Sequence, residues 1–300
     1  MFPMSDQRLK MQDPRTQYPQ PPFQQQHQAQ PGLAKQMDPK PDNGETSYVG
    51  SGKLQGRKAL VTGGDSGIGR AVAIAFAREG ADVAIGYLPN EEADAKEVID
   101  LITKEGRKAI ALPGDISDEA FCKQLVADAA KQLGGLDVLV NNAGTMSSHT
   151  SLAEVSTDEF DHLMKTNVYA LVWITKAAMP LLQPGASIIN TASIQAFEPS
   201  KNIVDYAMTK AAIVAFTKGM VPQLMEQGVR INAVAPGPFW TPIQPTGQPP
   251  ESVEKLGSGV PFKRPGQPVE IAPLYVLLAS QEGSYLTGEV FGATGGKGVA

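Results

Sequence analysis

From Lys53 onward the chain alternates short, continuous apolar runs with longer amphipathic stretches. "KALVTGG" reads as a buried strand entering a glycine turn. "SGIGRAVAIAFAREG" reads as a helix closed by Gly80. The runs "DVAIGY", "KAIALPGD", "LDVLVNNAG", "ASIINTAS", "VRINAVAPG" and "GEVFGATGG" repeat the strand signal. Helical patterns lie between them: "NEEADAKEVIDLITKEG", "DEAFCKQLVADAAKQLGG", and residues 157–183, 203–226 and 269–279. Strands that are apolar on both faces need cover on both faces. The expected fold is α/β, a doubly wound parallel sheet forming a single domain over residues 53–300.

Residues 1–52 break the pattern. "YPQPPFQQQHQAQPGLAKQMDPKPDNG" is rich in Gln and Pro and poor in aliphatic side chains. Such a segment buries too little apolar surface to offset its ordering entropy. It is expected to be a flexible extension, or an arm that wraps a partner subunit. The formal net charge of -5 offers no basic surface, so neither nucleic acid nor a membrane is an expected partner. No apolar run approaches the roughly 20 residues that span a bilayer. No apolar segment follows a basic start, so no secretory signal is expected. The single cysteine, Cys122, precludes an internal disulfide and a cysteine-built zinc site. It reads as a small buried hydrophobe in a reducing compartment, and a cytoplasmic location is expected.

The first strand–helix junction carries "TGGDSGIG", Thr62 to Gly69. Gly63 suits a tight turn, and Gly67 and Gly69 let the backbone approach a pyrophosphate. The helix N-terminus then presents free N–H groups and a positive dipole end to the phosphates. The position between first strand and first helix is what separates this motif from an ordinary glycine-rich turn.

Further motifs follow in order: "NNAG" at 141–144, Ser193, Tyr206-x-x-x-Lys210, and "PG" at 236–237. With these the chain resembles the short-chain dehydrogenase/reductase family, over nearly all of residues 53–300. The resemblance implies a Rossmann-like fold, a nicotinamide dinucleotide cofactor and a homotetramer. It implies that Gly63, Ser66, Gly67, Ile68 and Gly69 line the phosphates and the adenosine ribose. Asp115 and Ile116 would meet the adenine, and Asn142, Ala143 and Gly144 would pass beneath the cofactor. Pro236, Gly237 and Thr241 would hold the nicotinamide. At the end of the second strand an acidic residue would favour NAD and a basic one NADP. Tyr87 and Leu88 stand there instead, and the resemblance implies that Tyr87 lies beside the cofactor. Asp65 would oppose a 2′-phosphate and Arg70 would attract one, so NADP or NAD is expected without preference.

Tyr206 and Lys210 are i and i+4, which puts them on one helix face. Alone, the pair reads better as a half-buried tyrosine and a snorkelling lysine on an amphipathic helix. In company it reads as chemistry. A phenol titrates near 10, and a neighbouring ammonium with an oxidised nicotinamide favours its anion. Ser193 can hold a substrate oxygen while Tyr206 exchanges a proton with it. Asn167, in "KTNVYA", matches the family's fourth catalytic residue, whose implied role is to hold a water linking Lys210 to solvent.

The substrate is expected to meet Ser193, Gln195 and Tyr206, with Phe197, Phe239 and Trp240 as further walls. The Pro/Gly-rich stretch after Pro236 reads as a lid. No basic handle marks the walls unless "FKRPG" supplies Lys263 or Arg264. A neutral small-molecule carbonyl or alcohol is therefore expected: an aldehyde, ketone, sugar or polyol. His149 is expected to be solvated, and neither His162 nor His27 suggests a metal; none is expected. The competing function is a catalytically idle dinucleotide sensor or scaffold, which would be expected to break the Ser/Tyr/Lys set.

Overall fold

The computed structural model describes residues 11–299. Residues 1–10 and 300 lie outside the described residues, and with them the expectation of no secretory signal.

Among the described residues, seven strands form one sheet: β1 (Lys58–Thr62), β2 (Asp82–Tyr87), β3 (Ala109–Pro113), β4 (Leu136–Asn141), β5 (Leu182–Thr191), β6 (Arg230–Pro236) and β7 (Val290–Ala293). The order is β3-β2-β1-β4-β5-β6-β7, and every pair is parallel. Strand order reverses between β1 and β4, and ligands of such sheets bind at that switch point, beyond the strands' C-terminal ends.

Period-two alternation sends successive strand residues to opposite faces. Ala59, Val61, Val83, Ile85, Val138 and Val140 enter one core, with Phe76 and Tyr275. Leu60, Ala84 and Leu139 enter the other, with Leu125 and Ile174. The first core is covered by α1 (Gly67–Arg78), α2 (Glu92–Lys104) and, after seven other α-helices, α10 (Pro268–Ala279). The second is covered chiefly by α3 (Glu119–Leu133) and α5 (Ala170–Ala178).

Two expected helices are divided. The 157–183 stretch becomes α4 (Thr157–Met164), a π-helical turn at Lys165–Tyr169, and α5. The 203–226 stretch becomes α6 (Val204–Gly219) and α7 (Val221–Met225), with Pro222 in the first turn of the second. Proline is tolerated there because a first-turn N–H has no intrahelical partner. The expected lid contains α8 (Ile243–Gly247) and α9 (Pro250–Glu254).

The extension departs most from expectation. Residues 11–52 lie along their own domain rather than free of it. Phe23 stacks on Trp240 with ring centroids 4.3 Å apart, and the indole N–H donates to the Pro39 carbonyl at 2.7 Å. Phe23 N donates to Glu254 O and Gln28 N to Pro245 O, both at 2.9 Å. Arg78 holds the Gly44 and Glu45 carbonyls, and Arg264 holds that of Pro14. A few aromatic anchors and many backbone hydrogen bonds do what aliphatic burial would otherwise do. Composition counts the second and is blind to the first.

Candidate active site

A cavity of about 470 Å³ opens at the switch point, within the range typical of ligand pockets. The β1–α1 turn forms its floor. Gly67 has φ +53, and a Cβ at Gly69 would stand 1.9 Å from the Gly63 carbonyl oxygen. Only glycine allows this approach of helix to turn. Thr62 Oγ1 accepts from Asn142 N at 2.9 Å and Ala143 N at 3.1 Å, while Asn142 Nδ2 donates to the Thr62 and Gly63 carbonyls. The "NNAG" loop is thus fastened to the glycine turn. Below it, Asn141 Nδ2 donates to Asn190 Oδ1 at 2.9 Å, and Asn190 Nδ2 to Thr217 Oγ1 at 2.9 Å. This polar ladder ties β4 and β5 to α6.

At the β5–α6 end, Ser193, Tyr206 and Lys210 all line the cavity. The Ser193 hydroxyl accepts from Gln195 N at 3.1 Å and lies near enough to the Tyr206 phenol to favour its anion. Lys210 Nζ donates to the Thr191 carbonyl at 2.9 Å and lies 5.4 Å from the centre of the Tyr206 ring. Asn167 sits in the π turn and grips the loop after Gly144: its Oδ1 accepts from Thr145 N at 2.8 Å and its Nδ2 donates to Thr145 O at 2.9 Å. It lines a separate cavity of about 10 Å³, close to the space of a single water.

These features have counterparts in known proteins. A family model described as enoyl-(acyl carrier protein) reductase matches residues 63–297. The uncharacterized oxidoreductase YghA of Escherichia coli (strain K12) is 53% identical over 288 residues, covering 96% of this chain and 98% of that one. The chain belongs to the short-chain dehydrogenase/reductase family. NADPH-dependent aldehyde reductase 1, chloroplastic, of Arabidopsis thaliana is 42% identical, covering 91% of this chain and 95% of its own. A short-chain dehydrogenase from Burkholderia cenocepacia J2315, solved in complex with NADP, superposes with a TM-score of 0.76 at 34% identity, over 81% of this chain and 98% of that one. This short-chain dehydrogenase/reductase is an NAD(P)-dependent oxidoreductase.

The residues present fit a dinucleotide. The close approach at Gly69 clears the α1 N-terminus for phosphates, and Asp65 presents a buried carboxylate oxygen without a hydrogen-bond partner. Of the expected cofactor residues, Gly63, Ser66, Gly67, Ile68, Tyr87, Asp115, Ile116, Asn142, Ala143, Gly144, Pro236, Gly237 and Thr241 line the cavity. Gly69 lies just behind, where its missing side chain matters.

The electrostatics differ from expectation in one respect. Burial pushes the Tyr206 phenol up to about 12, and the neighbouring Ser193 hydroxyl only partly offsets this. Burial also pulls the Lys210 ammonium down to about 8. In this short-chain dehydrogenase/reductase desolvation outweighs the mutual help of the pair.

The substrate wall also needs correction. Gln195 is not at the cavity: its amide folds back on Ser200, donating to Oγ at 3.0 Å and accepting from N at 2.7 Å. Phe197 does not line it either, and Trp240 is fully buried beneath Phe23. Arg264 is spent on Glu270 at 2.7 Å. Of the expected aromatic walls Phe239 remains. His149 is not simply solvated, since its Nε2 meets Glu159 Oε1 at 2.8 Å. Cys122 is buried, and burial holds its thiol well above the ordinary range.

Sequence reasoning missed several contributors. Thr62 and Thr191 act through the strand ends, and Thr191 Oγ1 also pairs with the Tyr275 hydroxyl at 2.8 Å. His162 and Thr166 reach the cavity from the helix opposite α6, as do Gln30, Pro31 and Gly32 from the extension. Gln30 Nε2 donates to Met146 O at 3.0 Å, and its Oε1 accepts from Thr145 Oγ1 at 3.2 Å. The glutamine-rich composition around Gln30 gave no signal that one glutamine was different.

Proposed function

We propose that the protein interconverts a neutral carbonyl compound and its alcohol, with Tyr206 as proton donor and acceptor. One observation carries the reading: Ser193, Tyr206 and Lys210 line the same cavity as the glycine turn. The nicotinamide, when bound, supplies or takes the hydride. Ser193 holds the substrate oxygen next to the phenol. Tyr206, kept protonated by burial, is ready to donate in the reductive direction. Lys210, anchored on Thr191 O, places a cation beside the ring that favours the phenolate in the oxidative direction. Asn167 positions the 144–145 loop and borders the water-sized cavity behind it.

Apart from Lys210 and His162, the acidic and basic side chains at the cavity are Asp65, Glu91 and Asp115, on the loops after β1, β2 and β3 and away from Tyr206. This supports an uncharged aldehyde, ketone, sugar or polyol over a carboxylate or phosphate ester. The name of the Arabidopsis relative supports an aldehyde. The intact Ser/Tyr/Lys set disfavours an idle sensor. Family resemblance supports a cytoplasmic homotetramer, which sedimentation would test; no described helix is long and apolar enough to cross a membrane.

The deciding experiment is a panel of aldehydes, ketones, polyols and an enoyl thioester, each with NADH and NADPH or their oxidised forms. Turnover of the carbonyl or alcohol set is expected. Activity confined to the enoyl thioester would move the reaction to a carbon–carbon double bond and refute the reading.

A further inference from the structure

The two halves of the cavity carry different charge. Tyr206 and Lys210 stand beyond β5, and a cofactor whose reacting end lies there extends its adenosine toward β1, β2 and β3. The loops after those strands contribute Asp65, Glu91 and Asp115 to the lining. Among the described residues lining the cavity, Lys210 is the only lysine or arginine, and it belongs to the other half.

Asp65 is the central group. It is 1% exposed, lies between Gly64 and the α1 N-terminus, and its Oδ2 has no hydrogen-bond partner. A buried carboxylate oxygen without a donor is costly, and one facing a cavity is satisfied by a ligand that brings a donor. Glu91 is already engaged, accepting from Leu88 N at 3.0 Å. Asp94 stands behind it, fully buried, and accepts from Ala34 N at 2.7 Å. Of the cations near this end, Lys35 acts on Asp94 from the extension without entering the lining, and Arg70 is held between Glu45 and Glu97 at 3.0 Å each. It does not reach the lining. Burial holds both Asp65 and Glu91 above the ordinary carboxylate range, and Glu91 is raised further by the charge of Asp65. This end of the cavity therefore resists the negative charge it already has.

We infer that the protein selects NAD(H) over NADP(H), with Asp65 accepting a hydrogen bond from the adenosine ribose and excluding a 2′-phosphate. The inference rests on the nicotinamide reading above and sharpens it. A ribose hydroxyl brings the donor that Asp65 lacks. A 2′-phosphate brings further negative charge and finds no lysine or arginine in this half of the lining to pair with. The discrimination arises from the glycine turn rather than from the end of β2, where Tyr87 hydrogen-bonds Glu92 instead. It sets this chain apart from the Burkholderia dehydrogenase solved with NADP and from the NADPH-dependent Arabidopsis relative.

The test is a fluorescence titration of the full-length protein, stripped of cofactor, with NADH and NADPH separately at pH 7.5. Like-charge juxtaposition in a desolvated site costs several kcal/mol, so NADH is expected to bind about a hundredfold more tightly. Asp65→Asn keeps the shape and removes the charge; it is expected to narrow the ratio about tenfold or more, mainly by improving NADPH. Asp65→Ser is the second variant, with the same expected direction. If the wild-type chain binds neither dinucleotide, the nicotinamide reading falls and this inference falls with it. If both bind and NADPH matches or exceeds NADH, the inference alone is overturned. If NADH wins but neither substitution changes the ratio, Asp65 is not the discriminating group.

Discussion

Lys210→Met should make the cofactor-free protein more stable at neutral pH while removing its turnover. The side chain is 4% exposed and has one hydrogen-bond acceptor, the Thr191 carbonyl. Burial lowers its titration from 10.5 to about 8. At 1.36 kcal/mol per pH unit that gap is worth about 3 kcal/mol. Below pH 8 the lysine is protonated in both folded and unfolded chains, and the folded chain bears the whole cost. Between pH 8 and 10.5 the unfolded chain holds a proton the folded one has released, so wild-type stability rises with pH. Methionine removes the cost but leaves the Thr191 carbonyl without its donor, a loss of about 1 kcal/mol. The net gain for the variant is about 2 kcal/mol at pH 7, shrinking and then reversing as pH passes 10. Denaturant unfolding of both proteins at pH 7, 8, 9 and 10 measures the difference, and every other titrating group cancels between them. A difference that does not change with pH would refute the account of a lysine held in a desolvated, unfavourable state. The same measurement would then leave no reason to treat this charge as a cost borne for catalysis.

Other outcomes follow from the geometry. Tyr206→Phe should bind cofactor as the wild type does and lose about 10²- to 10⁴-fold in turnover, the usual worth of a positioned acid; steady-state rates with a fluorescence titration separate the two effects. Phe23→Ala removes the ring stacked on Trp240, a substitution that costs about 3–5 kcal/mol in a full core. Here the loss should fall on the extension, so hydrogen exchange should rise over residues 20–40 while the sheet stays protected. Gly69→Ala places a methyl 1.9 Å from the Gly63 oxygen, so the turn must open; dinucleotide affinity should fall at least about tenfold, by the loss of more than a kcal/mol of phosphate contacts.

The sheet was legible because its strands are apolar on both faces, and only a helix-covered parallel sheet accepts that. The glycine turn and Ser193 were legible because each falls just past a strand end, where the fold delivers side chains to the cavity, and Tyr206 and Lys210 because their spacing puts them on one face of the helix that follows. Gln195 and Trp240 fall near the same places in the chain, yet both turn away. A turn closed by Ser200 takes the amide, and Phe23 takes the indole. Such choices depend on partners distant in sequence, which local pattern does not carry. The divided helix at Lys165–Tyr169 was hidden for a related reason. Thr166, Asn167, Val168 and Tyr169 are only middling helix formers, but propensity is a weak guide inside a long helical pattern, and only the bonds from Asn167 to Thr145 show where the ladder slips. The extension was misjudged because disorder was read from average composition, while a few contacts hold it in place.

Those contacts span most of the polypeptide. Pro39 waits for Trp240, Asp42 for Gln267, and Pro14 for Arg264, with separations of 201, 225 and 250 residues. A ribosome adding about 5–20 residues per second needs roughly 10–50 s to bridge such gaps. The extension therefore emerges well before the segments on which it docks. Gln30, Pro31 and Gly32 reach the cavity only after the lid beneath them has been made, so the pocket closes late in synthesis. Nascent chains arrested before residue 240 would carry the glycine turn and the tyrosine on an unfinished, unroofed site.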